Sequence, residues 1–295
     1  MIPALKEDSM KIAIIVNLSK EKAIECAERI IDVLGGEGAK LYMPPDCSGV
    51  FDKSGVSFCT TIEQLFEIAD IAVTVGGDGT IIHSAKYAAR TATPLIGVNV
   101  GRLGFAADVE ADEIGDLKKL VSGAYSMEER LLLEVEVRTP VDSNIYLAVN
   151  DAVVTHGTLS KIVDFTLSLD GEEISRYRAD GLLFSTPTGS TAYSLSAGGP
   201  IVSPQMKCIL MTPVCPHSLF SRSVLFGDDA CLSVRAKIPA NCSCVLSIDG
   251  EKNIELSEQD CVIIRRSSLK LKLISIKNRN FYRKLNEKLK ERELS

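Results

Sequence analysis

The chain has 295 residues, a length that suits two domains and encloses enough interior to need no disulfide or metal staple. Its composition is 45% hydrophobic and 24% charged with a mean hydropathy of +0.13, which excludes intrinsic disorder, collagen and a coiled coil. A net charge of −6, from 33 Lys and Arg against 39 Asp and Glu, argues against a dedicated nucleic-acid binder, although a phosphate ligand needs only local donors.

Residues 1–10 lack the apolar stretch of a secretion signal, and no apolar run approaches the ~20 residues of a membrane span. A soluble, cytoplasmic protein without a membrane partner is therefore expected. Residues 11–17 read as a buried strand. Ser19 is placed to cap a helix through about residue 34, with Ile24, Ala27, Ile31 and Leu34 on one face and Gly35-Gly36 ending it. Residues 61–69 read as a short helix, 70–75 as a second buried strand, 80–90 as a helix and 94–99 as a strand. Strands alternating with helices imply an open, mainly parallel α/β sheet.

Directly after the strand ending at Val75 stands Gly76-Gly77-Asp78-Gly79-Thr80. Its glycines let a ligand approach the main chain, and the helix that follows aims its first amides at the same spot, so Gly76, Gly77, Gly79 and Thr80 form a candidate phosphate cradle. The spacing is neither a Walker A loop nor the dinucleotide fingerprint, which would need a glycine at Ile82. A carboxylate in an anion-binding turn repels phosphate, which gives Asp78 a separate task. It can accept a proton from a hydroxyl nucleophile or hold Mg²⁺ against phosphates. The alternative is an ordinary cap for the helix start.

Beyond about residue 125 the style changes to short strands at 131–138, 146–150, 162–169, 181–185, 231–236, 242–248 and 261–265, which fits an all-β sandwich. Asn150-Asp151, at the end of one of these strands, is suited to an adenine edge or ribose hydroxyls, but by itself reads first as ordinary turn chemistry. The segment DGLLFSTPTGSTAYSLSAGGP at 180–200 joins a strand to a loop dense in Ser, Thr and Gly. Such a loop suits a nucleotide's ribose and phosphates, with Tyr193 stacking on a base or packing in the core; the alternative is a plain sandwich corner. Asp249-Gly250-Glu251 reads as a hairpin turn, and Thr212-Pro213 through His217 as a rigid loop in which His217 has a surface or structural role. Residues 278–293 read as an amphipathic helix with Phe281, Leu285 and Leu289 on one face and its basic residues on a solvated one. Nine cysteines contain no C-x-x-C pair, and three histidines leave little material for a zinc site, so no metal ligand is assigned. Cys242 and Cys244 are expected to face the same side of a strand.

Taken together, these segments resemble the NAD kinase family, and they occur in the family's order. They are GGDGT at 76–80, GVNVGRLGF at 97–105, Asn-Asp at 150–151, the 180–200 stretch, TPVCPHSL at 212–219 and IDGE at 248–251. The correspondence runs from Lys11 to the Phe281-Tyr-Arg-Lys-Leu segment. GGDGT alone is shared with lipid kinases and phosphofructokinase relatives, so a lipid or sugar kinase, or a non-catalytic dinucleotide sensor, is the alternative. The resemblance implies ATP-dependent phosphorylation of the adenosine-ribose 2′-hydroxyl of NAD, with a divalent cation, Mg²⁺ above others. It implies an α/β domain over 1–125, a β-sandwich over 126–270, and a segment and helix over 271–295 returning to the first domain. A homodimer or homotetramer is the implied assembly. By the same resemblance Asp78 is the general base, with Gly79 beside it, and Phe105 lines the adenine pocket. Asn150 and Asp151 hold the adenosine ribose, Asp151 standing where many relatives have Glu. Arg178 and Asp180 lie near the substrate, Asp180 on the nicotinamide side. Thr191, Ala192, Tyr193 and Ser196 line the dinucleotide site, with Asp249 near it. Ala106 and Ser223 are further departures, where an aromatic and an Arg-Pro step are usual.

Overall fold

The computed structural model describes residues 9–51, 55–101, 104–157, 162–218, 221–239, 242–277 and 280–293. Arg102, Leu103 and Leu219 of the sequence motifs, and the side chain of Leu289, lie outside the described residues. The chain divides into two compact units, Met1–Glu129 with Leu271–Ser295, and Arg130–Lys270.

In chain order the elements begin β1 (Lys11–Val16), α1 (Glu21–Gly36), β2 (Lys40–Met43), β3 (Val56–Phe58), α2 (Ile62–Ile68) and β4 (Ile71–Gly76). They continue α3 (Asp78–Thr91), β5 (Leu95–Asn99), β6 (Val109–Glu110) and α4 (Lys118–Val121). The β-rich part holds β7 (Ser126–Arg138), β8 (Ser143–Ala148), β9 (Asp151–His156), β10 (Val163–Leu169), β11 (Glu172–Ala179) and β12 (Gly181–Ser185). After α5 (Tyr193–Ser196) come β13 (Cys208–Val214), β14 (Val224–Gly227), β15 (Leu232–Lys237), β16 (Cys244–Ile248), β17 (Lys252–Leu256) and β18 (Cys261–Ser275), and α6 (Phe281–Glu293) closes the chain.

The first unit is built on a parallel sheet in the order β3-β2-β1-β4-β5, to which Leu273 of β18 adds beside Leu95. Every residue of β4 is buried, as a parallel strand covered on both faces must be. α1 buries Ala23, Cys26, Ala27, Ile30, Ile31 and Leu34, a stripe at helical spacing, and leaves the expected face residue Ile24 only partly buried. Ser19 does not cap this helix. The N-cap is Lys20, and the Ser19 hydroxyl donates to Asn17 Oδ1 at 2.6 Å. Gly35 and Gly36 do end the helix, as its last two residues. Thr61 does cap α2, accepting from Gln64 N at 3.1 Å.

The C-terminal stretch is tied into this unit by polar contacts. Asp108 accepts from the Ile276 and Lys277 amides at 2.7 and 3.1 Å and from the Ser275 hydroxyl at 3.1 Å. Lys277 in turn reaches Glu113 and Asp116, both at 2.8 Å, and the two lysines beside Asp116 hold its carboxyl down at about 2.

The second unit is a β-sandwich. One sheet runs β8-β7-β18-β15-β10-β11 and the other β14-β13-β12-β9-β16-β17. Phe165, Leu167, Val234 and Val262 from the first share a core with Val154, Leu182, Phe184, Ile209 and Leu246 from the second. Strand β13 corrects the expected rigid loop, because Thr212 and Pro213 are paired to Leu183 and Leu182 of β12. Proline is tolerated there because β14 pairs only with Cys208 to Met211, so among the described residues the other side of Pro213 has no partner strand. Cys242 precedes β16 and is half-buried while Cys244 is fully buried, so the two thiols are not equivalent neighbours on one strand. Among the described residues no helix is long and apolar enough to cross a membrane.

Candidate active site

In the sheet of the first unit the chain leaves β1 toward β2 on one side and later leaves β4 toward β5 on the other. Open α/β sheets bind ligands at that switch, beyond the carboxyl ends of the two strands. Asn17 stands at the end of β1 and Gly76-Gly77 at the end of β4, joined by a bond from Asn17 N to Val75 O at 2.9 Å. α3 starts at once, with Gly77 as N-cap and Asp78 as its first residue, two positions earlier than the sequence pattern suggests. The amides of its first turn therefore face the switch point, where they can meet an anion. A cleft of about 530 Å³ opens here, walled by Asn17, Pro45, Asp46, Gly79, Thr80 and His83 among others. The Asn17 side-chain amide reaches Thr80 Oγ1 at 3.4 Å.

Asp78 does not cap its own helix. Its Oδ2 accepts from Phe105 N at 2.9 Å and its Oδ1 from Ala106 N at 3.1 Å, so the carboxylate is gripped by a segment beyond β5. A Cβ on Gly104 would stand 2.3 Å from Asp78 Oδ1, which is why that segment needs a glycine where it passes the carboxylate. Asp78 remains 36% exposed and can still meet a substrate. Gly76, Gly77, Asp78, Gly79, Thr80 and Phe105 are thus brought together.

Two cations join them that the sequence reading did not single out. Lys20 sends its Nζ to 3.5 Å from where a Cβ on Gly77 would stand, and 3.7 Å from the same point on Gly101. Lys288 of α6 places its Nζ 3.7 Å from Asp78 Oδ2. The basic face of α6, expected in solvent, is therefore partly turned onto the site. The only local signal for Lys20 is its place three residues after Asn17, in the turn that leaves β1.

The second unit holds a second constellation. Asn150 and Asp151 lie at the β8–β9 corner, with Asp151 opening β9 instead of ending a strand. The Asp249 carboxylate accepts from the amides of Val149, Asn150 and Asp151 at 2.7–3.1 Å, and so sets the corner from below. Asp249 (φ 50) and Gly250 (φ 69) form the β16–β17 turn expected of an Asp-Gly pair. The 186–192 loop packs on the same corner, with Thr186 N donating to Asn150 O at 2.9 Å and Thr186 Oγ1 to Val149 O at 2.8 Å. Thr191 is buried, Ala192 half-buried, and Tyr193 and Ser196 are exposed. Thr188, absent from the sequence-based candidates, has a buried hydroxyl that meets no hydrogen-bond partner among the described residues.

Asp180 and Arg178 meet different partners. Asp180 faces His156, whose Nε2 is 3.5 Å away, while Arg178 is exposed and lies 4.0 Å from Asp164 on β10. His217 is exposed, its amide donating to Arg178 O at 2.8 Å.

Burial, and then the neighbouring Asp249 carboxylate, push the Asp151 carboxyl up to about 7. The native protein thus keeps a proton that the unfolded chain releases above about 3.8. Stability from this group is full below that lower value and drains away as pH rises through about 7. Denaturant midpoints measured from about pH 5 to about 8.5 should therefore fall for the wild type and fall less for Asp151→Asn; parallel curves would refute the linkage.

A glycine cradle at a helix start, with a fixed carboxylate and two cations beside it, is the equipment of a nucleotide-dependent phosphotransferase. Residues 12–125 match the model of the ATP-NAD kinase N-terminal domain, and residues 149–276 that of the ATP-NAD kinase C-terminal domain. The chain belongs to the NAD kinase family. It is 34% identical over 283 residues to the NAD kinase of Natranaerobius thermophilus, covering 94% of this chain and 97% of that one. With the NAD kinase of Caldicellulosiruptor bescii it shares 37% identity over 285 residues, covering 96% and 100%. Among solved structures, yeast NADH kinase complexed with NADH superposes with a TM-score of 0.87 at 25% identity, over 96% of this chain and 88% of that one. An NAD kinase from Archaeoglobus fulgidus in complex with ATP gives 0.74 at 26% identity, over 95% and 99%.

Proposed function

We propose that the protein transfers the γ-phosphoryl group of ATP to the 2′-hydroxyl of the adenosine ribose of NAD, giving NADP and ADP. The observation that carries this reading is the Asp78 carboxylate, held at the start of α3 by two backbone amides and still open to solvent. In the transfer the ribose oxygen forms a bond to the γ-phosphorus, the bond to the ADP oxygen breaks, and the hydroxyl proton passes to Asp78. A ribose hydroxyl is far too weak an acid to ionise beforehand, so the proton moves as the new P–O bond forms. The rest of catalysis is placement and charge neutralisation.

The amides and hydroxyl of Gly76, Gly77, Gly79 and Thr80 take the donor phosphates, with the Lys20 ammonium above them. Phe105 lines the adenine pocket, and Asn150 and Asp151 hold the ribose. Thr191, Ala192, Tyr193 and Ser196 line the dinucleotide, joined by the Thr188 hydroxyl, while Arg178 and Asp180 lie near the substrate, Asp180 on the nicotinamide side. Asp249 acts at one remove, through the corner it holds. Among the described residues no group of three or more His, Cys, Asp or Glu side chains can hold a metal. The hard oxygen donors near the cradle, Asp78 and Thr80, fit a divalent cation that arrives on the nucleotide and takes most of its ligands from phosphate and water. Bound there, Mg²⁺ would neutralise charge on the transferring phosphoryl group.

Nine free thiols, with Cys26, Cys47 and Cys244 pushed up to about 11 or 12 by burial, suit a reducing compartment and an inert role, in keeping with the cytoplasm. A homodimer or homotetramer is supported by the apolar side chains that the sandwich exposes at Tyr193, Ile201, Met206, Val224 and Leu225, two of them on the edge strand β14. Sedimentation as a single-chain species at assay concentration would sink that assignment.

Purified protein incubated with ATP, Mg²⁺ and NAD, then coupled to an NADP-specific dehydrogenase, is expected to generate NADP. No NADP above blank, with lipids or sugars phosphorylated instead, would favour the related kinases. Binding of NAD without any turnover would identify a sensor.

A further inference from the structure

We infer that the C-terminal helix belongs to the catalytic apparatus, and that Lys288 is a positioning residue for the Asp78 carboxylate. The inference rests on the base role proposed for Asp78. Lys284 and Lys288 stand four residues apart on α6 and so share a face. Lys284 is only 9% exposed, and its ammonium donates to the carbonyls of Phe105, at 3.2 Å, and of Ala107. One turn on, the Lys288 ammonium sits 3.7 Å from Asp78 Oδ2 and 4.0 Å from the centre of the Phe105 ring. One turn before, the Phe281 ring lies 6.5 Å from the same Phe105 ring.

These contacts converge on one short segment. The amides that grip Asp78 belong to Phe105 and Ala106, and the carbonyls and ring of residues 105–107 are what α6 holds. The helix therefore buttresses the segment that aims the carboxylate, and Lys288 adds a direct third contact to the carboxylate itself. With its side chain 18% exposed, Lys288 is shielded enough for that contact to outlast ordinary salt screening. Its reach to both Asp78 and Phe105 links the orientation of the base to the ring proposed for the adenine pocket.

The test is a double-mutant cycle on the full-length enzyme. Lys288→Met is expected to lower kcat about tenfold while leaving KM for ATP unchanged, and Lys288→Arg to restore most of the loss. In an Asp78→Asn background Lys288→Met should cost nothing further, because the group it positions is gone. Wild-type kcat in Lys288→Met would overturn the inference, and so would an equal loss in both backgrounds. A lowered denaturation midpoint with kcat intact would also overturn it, by showing a tie that is only structural. Asp78→Asn alone tests the base assignment, so a failure there is distinguishable from a failure of Lys288.

Discussion

Replacing Asp78 by Asn is expected to lower kcat by about 10²–10⁴-fold, the range lost when a positioned general base is removed, with the Kd for NAD changed only about threefold. The side chain keeps its size, but an amide offers one oxygen where the carboxylate offers two. One of the amides at 105 and 106, now at 2.9 and 3.1 Å, therefore loses its acceptor. That local loss should appear as a small change in affinity. The loss in kcat has a different origin, since a neutral amide cannot take the hydroxyl proton as the P–O bond forms. Stopped-assay kcat beside calorimetric Kd separates the two. Near-wild-type turnover in Asp78→Asn would remove the base from the mechanism.

Gly189→Ala should damage the second constellation as severely, by steric means. A Cβ at Gly189 would stand 2.1 Å from the Asn150 carbonyl oxygen and 2.6 Å from its Cα. Both are backbone atoms, so no rotamer change can relieve the clash. Either the 186–192 loop lifts or the 149–151 corner shifts, and the corner is pinned by three amides that donate to Asp249. Overpacking of this kind costs about 3 kcal/mol, read as a lower denaturant midpoint. NAD affinity should fall more than about tenfold while ATP affinity holds, a split equal to about 1.4 kcal/mol or more at one site only. Gly36→Ala is the control. Nothing lies within 4 Å of its Cβ position at the end of α1, so that variant should be neutral or slightly more stable. Equal midpoints for the two variants would show that the 189–150 contact carries no weight.

Much of the fold was legible because its signals are local. The buried runs that became β1, β4 and β5 are continuous apolar segments bounded by turn residues, and the stripe of α1 repeats at helical spacing. Strands β2, β3, β6, β9, β11, β13, β14 and β17 were not anticipated; β11 is mostly exposed and polar, and β13 carries a proline. Their strand state depends on neighbours across the sheet. The start of α3 was missed by two residues because Asp78 and Gly79 read locally as turn, yet that offset puts the carboxylate on the helix.

The amino-acid sequence by itself determined the glycine turn after a buried strand, the Asp-Gly hairpin, the change from α/β to β style, and the family. Each of these is a property of residues adjacent in the chain or of motif order along it. Only the tertiary structure decided what Asp78, Asp249 and Lys284 do, since their partners lie 27, 100 and 179 residues away. A hydrogen bond or ion pair is selected by distance in space, and no periodicity along a chain encodes which remote amide or carbonyl the fold will bring within 3 Å.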